Sequence, residues 1–520
     1  VEKRHLRRRA VLTGGGAAAL GGLAAPALAA GSSRTIRYRA TLDLVTVDPV
    51  AVVSTPTQEA ALLIYDGLFG IDASLAPQPQ MVERFEMAAD RLTWRFALRD
   101  GLWFHDGDRV RAQDAVASIA RWAARDRVGR VLKSRIAEMR AVDDRAFEIR
   151  LTRPFPRMLI SLATTNLFVL PERVAAHTDA AIPVKDLTGS GPFIFEANEW
   201  VSGARAAFRR NPRYEPRQEK PSLLSGGKMA YVDRVEWTTM PDAATASAAL
   251  QNDEIDLIHV VDADMLPLLR KNKNVVIEQL NRFGYAAELV FDTLIPPADN
   301  AALRRALLLA VNQEDCMRAV VGDETDLMRT GVGVFTPGTP LANDVGLAMA
   351  NGSRDMRRVR QAVRESGYGG ERFVVMVPTD SAALLAFGSV ICQCLKDAGL
   401  NVDVQAMDWG SVVSRRNQPR SGGWHAFSGT NPGQYCTPGT HLILSSPSHD
   451  DAVLNALRDS WYDAPDPQAE RHAAEQIQLR FFENPPALPL GHYYPASAYR
   501  AALSDLVPAP WAIFWGAKKA

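Results

Sequence analysis

Residues 92–122 read LTWRFALRDGLWFHDGDRVRAQDAVASIARW, and their pattern decides how the rest of the chain is understood. Leu92, Trp94, Phe96 and Leu98 alternate with Thr93, Arg95, Ala97 and Arg99, the period-two pattern of a strand with one buried face. Arg99-Asp100-Gly101 turns the chain, Leu102 to Phe104 is expected to return as a short apolar strand, and His105-Asp106-Gly107-Asp108 turns it again. Val116, Ile119, Ala120 and Ala123 then fall at helical spacing with arginines opposite, which predicts a helix.

At 520 residues the chain is too long for one core, so two or three domains are expected. Its 47% apolar and 23% charged residues place it among ordinary globular proteins. Residues 1–29 carry Lys3, Arg4, Arg7, Arg8 and Arg9 against Glu2, and without them the balance is −4, which gives no argument for nucleic acid. The same residues read as an export signal. Arg8-Arg9-Ala10-Val11-Leu12 resembles the twin-arginine consensus, an uncharged Ala/Gly-rich run follows, and Ala27-Leu28-Ala29 fits the small-x-small cleavage rule. Cleavage near Ala29 and a periplasmic location are therefore expected. Of the four cysteines, Cys392 and Cys394 lie two apart on an expected helix and point away from each other. Whether Cys316 and Cys436 pair is left open by the sequence.

Thr35 to Ala40 reads as a first strand, followed by a turn-rich loop at LDLVTVDP (42–49) and a helix near Thr57 to Leu68. Leu187 to Tyr214 contains a tight Gly189-x-Gly191-Pro192 turn running into a strand. Beyond Tyr285, strands at 285–291, 373–377 and 401–407 alternate with helices, which argues an α/β lobe with a mainly parallel sheet.

Several of these stretches, in order, resemble the extracytoplasmic solute-binding proteins of peptide-type ABC importers (family 5). The family pattern W-x-F-x-L-R-x-G-x-x-F-x-D-G stands at Trp94 to Gly107, its G-T-G-P-Y and R-N-P-x-Y signatures near Gly189 and Arg210, and R-x-A-L-x-x-A-V/I at Arg304 to Val311. The resemblance implies an α/β, two-lobe periplasmic-binding-protein fold with an extra subdomain inserted in the first lobe. It divides the chain into the export signal (1–29), first lobe (30–72), inserted subdomain (73–186), first lobe again (187–284), second lobe (285–488) and a return to the first lobe (489–520). It implies a receptor that takes a small peptide-like or other polar solute between the lobes and delivers it to an inner-membrane ABC permease, acting as a monomer without a cofactor. It also places Asp48, in the loop before the first helix, toward the ligand.

Catalytic signatures are missing. Gly-x-Ser-x-Gly, a phosphate-cradling loop and His-Glu-x-x-His are all absent, and the nine histidines have no metal-ligand spacing. An enzyme, such as an exported hydrolase, is disfavoured on that ground, as is a metal or metallophore receptor. Ligand contacts are expected instead from residues 408–440, where Gly, Asn and Pro make a loop at strand ends. Trp409, Trp424 and Tyr435 offer flat faces, and Thr430, Asn431 and Gln434 offer donors and acceptors. Peptide-binding relatives carry an aspartate in this loop for the peptide's amino group. No acid occurs between Ser428 and Tyr435, Asp408 being the nearest before them, so a peptide-like, sugar-like or opine-like ligand held by neutral bonds is expected.

Overall fold

Trp94, Phe96 and Leu98 do point into a core: the strand Thr93–Leu98 pairs antiparallel with Val82–Met87 on one side and Ala146–Leu151 on the other, and Ile136–Ala141 completes a four-stranded sheet. Leu102 to Phe104 is not a strand. Only Trp103 bridges to Arg109 there, because Gly101 and Gly107, both at positive φ, turn the chain too tightly for a ladder. The helix Ala112–Arg125 follows, its buried face made by Ala115, Ile119 and Trp122. Asp114 accepts the Arg111 backbone N–H at 2.7 Å, which satisfies one of the orphan donors of the helix start.

The computed structural model describes residues 34–350, 355–418, 423–444 and 446–520, so the expected export signal lies outside the described residues. Two further sheets dominate. A seven-stranded sheet runs in the order Val275–Glu278, Ser497–Arg500, Leu257–Ile258, Thr35–Ala40, Arg234–Thr239, Arg205–Arg210, Phe193–Phe195. At its centre Thr35–Ala40 lies parallel to both neighbours and buries Ile36, Tyr38 and Ala40. A six-stranded sheet runs Met328–Arg329, Ala487–Tyr493, Tyr285–Phe291, Ala426–Pro432, Arg372–Pro378, Asn401–Met407.

That second sheet is mixed, not mainly parallel. Arg372–Pro378 is parallel to both neighbours, its link to Asn401–Met407 being the helix Ala382–Asp397. Tyr285–Phe291 and Ala487–Tyr493 pair antiparallel because one enters the lobe and the other leaves it. The boundary expected at 488/489 therefore falls inside a second-lobe strand, and the chain crosses back only after Tyr493. The crossing at 279–284 touches the end of that strand and the start of the other crossing, 494–496: His492 Nε2 lies 2.6 Å from the Phe283 carbonyl, and Gly284, at φ 59°, sits against the Tyr493 carbonyl and the Tyr494 ring.

The Gly189-x-Gly191-Pro192 signature is structural. A Cβ on Gly189 would come within 2.1 Å of the Ile64 carbonyl, the end of the helix Thr55–Ile64, and the Gly191 N–H donates to that same oxygen at 2.8 Å. The inserted subdomain also leans on the second lobe. Arg135 lies under Phe155 and Tyr462 at 4.6 and 5.8 Å and pairs with Asp463 at 2.8 Å. Among the described residues no helix is long and apolar enough to cross a membrane, and all four cysteines are buried.

Candidate ligand-binding cleft

Between the two large sheets lies a cavity of about 410 Å³. The first sheet contributes Tyr38 and Arg39, and the segment after Leu257–Ile258 contributes His259 to Asp264. From the second lobe come Tyr285, Asp380, Thr430 and Tyr493. Glu59 reaches it from the helix Thr55–Ile64, which Ser54 caps by accepting the Thr57 N–H. Its carboxylate is buried and receives the Ala512 N–H at 2.8 Å and the Tyr38 hydroxyl at 3.2 Å. Burial raises this carboxyl to about 7 against the pull of those two donors. Burial likewise raises Asp262, with Arg39 pulling the other way, and pushes Tyr285 up to about 12. Asp380 is held in place by accepting the Trp409 N–H at 3.0 Å.

A second cavity, of about 620 Å³, opens on the side of the inserted subdomain. Ile71, Leu75, Ile160, Trp461 and Trp511 make it largely apolar, while Gln434 offers a buried side-chain oxygen without a hydrogen-bond partner. Tyr435 stands at its wall. Its hydroxyl accepts from Gln58 Nε2 at 2.8 Å and lies 2.5 Å from Thr165 Oγ1, so one side chain of the second lobe is bonded to two elements of the first. Trp511 meets the Tyr435 ring edge-on at 6.1 Å and donates to Gln58 Oε1 at 3.4 Å. A third hollow, of about 550 Å³ near Arg109 and Arg173, is lined by the inserted subdomain alone and cannot sense closure.

Residues 76–447 match the family described as bacterial extracellular solute-binding proteins, family 5, middle. The chain belongs to that family. It is 33% identical over 531 residues, covering 98% of both chains, to the probable peptide ABC transporter periplasmic-binding protein y4tO of Sinorhizobium fredii. Its fold resembles that of the DppA periplasmic binding protein of Helicobacter pylori in complex with the peptide STSA (TM-score 0.79, 18% identity, 93% of this chain and 98% of that one). It also resembles AgaA of A. tumefaciens R10 in complex with agropinic acid (TM-score 0.77, 19% identity, 94% and 99%). The chain is a family 5 receptor of the peptide-type ABC transporter class, and its homologues are periplasmic.

Within this family 5 receptor the residues expected from sequence separate. Thr430 lines the smaller cavity, and Gln434 and Tyr435 line the larger. Asp48 lines neither cavity: it is buried in a bidentate pair with Arg121 at 2.7 and 3.1 Å and also accepts the Val184 N–H. Trp424 is core, 1% exposed, with its indole N–H on the Arg415 carbonyl at 3.1 Å. Asn431 is buried against Cys436, its amide 3.3 Å from the sulfur. Asp408 caps the helix Trp409–Arg416 through Ser411 at 2.9 and 2.6 Å, and Trp409 lies beneath Arg416, 5.1 Å from its guanidinium; both stand outside the two cavities.

The cleft is also not short of acid. Residues 426–432 are a strand and not the loop expected, and Glu59, Asp262, Asp264 and Asp380 line the smaller cavity from segments remote from it, so the missing acid at 428–435 does not make the cavity neutral. Glu59 is a site residue that the sequence reading does not single out. The signal for it is Glu59 itself, the one charge in the helix TPTQEAALLI and next to the apolar run Ala60–Ile64, since such groups are buried only with partners.

Proposed function

We propose that this receptor captures a small polar organic solute between its two sheets and presents the closed complex to an inner-membrane ABC permease. The observation that carries this reading is the cavity of about 410 Å³ lined by both lobes, with Tyr435 bonding across to Gln58 and Thr165 beside it. A volume in this range suits a ligand the size of a short peptide or an opine-like compound. The peptide STSA and agropinic acid, in complex with the two structural relatives, are examples of that class. Binding free energy then goes into shifting an open–closed equilibrium, with no chemistry required. In this reading the chain is exported by its twin-arginine-like leader, cut near Ala29, and works as a monomer.

Native mass spectrometry of exported protein, purified without refolding, tests the reading. A retained organic molecule of a few hundred daltons, recovered in one-to-one ratio and able to raise the melting temperature when added back, supports it. At a hundredfold excess over Kd the stabilisation should be about 2.7 kcal/mol. Steady turnover of an added peptide or ester panel would replace the receptor reading with that of an exported hydrolase.

A further inference from the structure

The smaller cavity is lined by four acids, Glu59, Asp262, Asp264 and Asp380, against one arginine, Arg39, whose charge acts on Asp262. Arg39 lines it, but its guanidinium is engaged by backbone carbonyls: Met240 at 2.7 Å, Pro241 at 3.0 Å and Val260 at 3.3 Å. His259 lines it too, held on the Ala509 carbonyl at 3.0 Å and kept neutral by burial, which lowers it to about 4. Glu59 is the deepest of the acids, 3% exposed, and its two hydrogen-bond donors, the Ala512 N–H and the Tyr38 hydroxyl, are both uncharged. A buried carboxylate with neutral donors only is costly to ionise, and a cation placed beside it recovers that cost.

The walls around Glu59 suit such a cation. Tyr38 comes from the first lobe, and Tyr285 and Tyr493 from the two strands beside the crossings of the second. The latter two rings stack at 5.5 Å and 28°. Tyr285 is close enough for the Glu59 charge to act on it. Aromatic rings together with a carboxylate are the surroundings that recognise organic ammonium groups. Both lobes contribute, so a group bound here would feel closure.

We infer that Glu59, walled by Tyr38, Tyr285 and Tyr493, is the anchor for an organic ammonium group, so the captured solute carries a positively charged nitrogen. This rests on the receptor reading above and names the ligand class for its cavity. Recognition of the charge thus comes from a helix of the first lobe, not from the Ser428–Tyr435 segment. Binding a cation there displaces the proton that burial keeps on Glu59 below a pH of about 7. Affinity should therefore fall below that pH, approaching about tenfold per unit. Asp262, Asp264 and Asp380 are the other acids facing the cavity, and Arg39 the opposing charge.

The test uses the full chain and three probes: the peptide Ser-Thr-Ser-Ala, its N-acetylated form, and choline as a minimal quaternary ammonium. Thermal shift and calorimetry are run at pH 5.5–8.5 on wild type, Glu59→Gln and Tyr38→Phe. Glutamine keeps an oxygen for the Ala512 and Tyr38 donors, so Glu59→Gln should fold, and its melt without ligand checks this. The expected result is binding of the free-amine peptide or of choline, weakened roughly 30-fold or more by Glu59→Gln. Proton release on binding at pH 6, absent in that variant, is expected with it. Peptide binding without choline would assign a primary amine, and choline binding without peptide a quaternary one. Equal binding of the acetylated peptide, indifferent to Glu59→Gln, overturns the ammonium anchor while the receptor reading stands. Binding of none of the probes also overturns it, and the retained molecule found by native mass spectrometry then decides the receptor reading by itself.

Discussion

The hydroxyl of Tyr435 stands 2.8 Å from Nε2 of Gln58, so a side chain of the second lobe closes onto the first helix of the other. Thr165, from the inserted subdomain, meets the same hydroxyl. Tyr435→Phe removes both bonds and leaves the ring in place. Each hydrogen bond of this kind contributes about 1 kcal/mol net, so losing both should lower affinity by up to roughly 30-fold. Small-angle scattering of the ligand-free variant should show a larger radius of gyration than wild type. An unchanged radius together with unchanged affinity would mean that Tyr435 fills the wall without fastening it.

Trp424 separates core from site. Its ring is buried edge-on against Phe427 at 5.5 Å, and its N–H is used inside the same lobe. Trp424→Ala should cost about 3–5 kcal/mol of stability by denaturant titration. Ligand affinity, measured well below the unfolding transition, should stay close to wild type. A stable variant with lost affinity would return Trp424 to the cleft.

The contrast between these two aromatics shows what the chain makes readable. Alternation at Leu92–Leu98 and the paired glycines before Phe193 act locally, so the residues beside them are enough to recover strand and turn. Which face of a strand meets the other lobe is a long-range fact. Trp424 and Thr430 lie on one strand-and-approach segment, yet one is packed inward and the other opens to the cavity. Asp48 fails for the same reason: an aspartate before a proline looks alike whether its partner is a ligand or Arg121, which stands 73 residues on. The mixed second sheet could not be read either, because the antiparallel pairing of Tyr285–Phe291 with Ala487–Tyr493 joins segments about 200 residues apart. Glu59 is legible only as an anomaly, the one charge on a helix that runs on into Ala60–Ile64.

His492 supplies a pH test of the crossings. Burial lowers it to about 4, although the Phe283 carbonyl at 2.6 Å favours its protonated form. In the unfolded chain an ordinary histidine takes its proton near pH 6.5. Between 6.5 and about 4 the unfolded state therefore binds more protons, and stability falls as pH falls through that window. The loss from this one group amounts to about 3 kcal/mol. His492→Gln keeps an amide donor for Phe283 and removes the titration. Denaturant titrations at pH 7 and 4.5 should then show a smaller difference for the variant. An equal difference would place the acid sensitivity on His105, His259 or His449, which burial also lowers to about 4.

Gly284 is the tightest point between the two crossings. Its φ of 59° is a conformation that side chains rarely adopt, and a Cβ there would meet the Tyr493 carbonyl at 2.3 Å and the Tyr494 ring at 2.8 Å. Its own carbonyl accepts the Gly433 N–H at 2.8 Å, and its N–H donates to Asn281 Oδ1 at 2.9 Å. The glycine is thus fixed by the loop that carries Gln434 and Tyr435 as well as by the returning strand. Gly284→Ala should destabilise the protein by more than about 1 kcal/mol, since alanine is strained at φ > 0 and meets the overlap as well. The overlap is specific to this arrangement of the crossings, so relief comes by parting them, and the open form should gain. Affinity should fall, and the scattering radius without ligand should rise further than for Tyr435→Phe. Gly322→Ala is the control. That residue has φ 58° but nothing within 4 Å of where a Cβ would stand, so it should lose stability without losing affinity. If Gly284→Ala behaved like the control, the crossings would be passive links and closure would have to bend elsewhere.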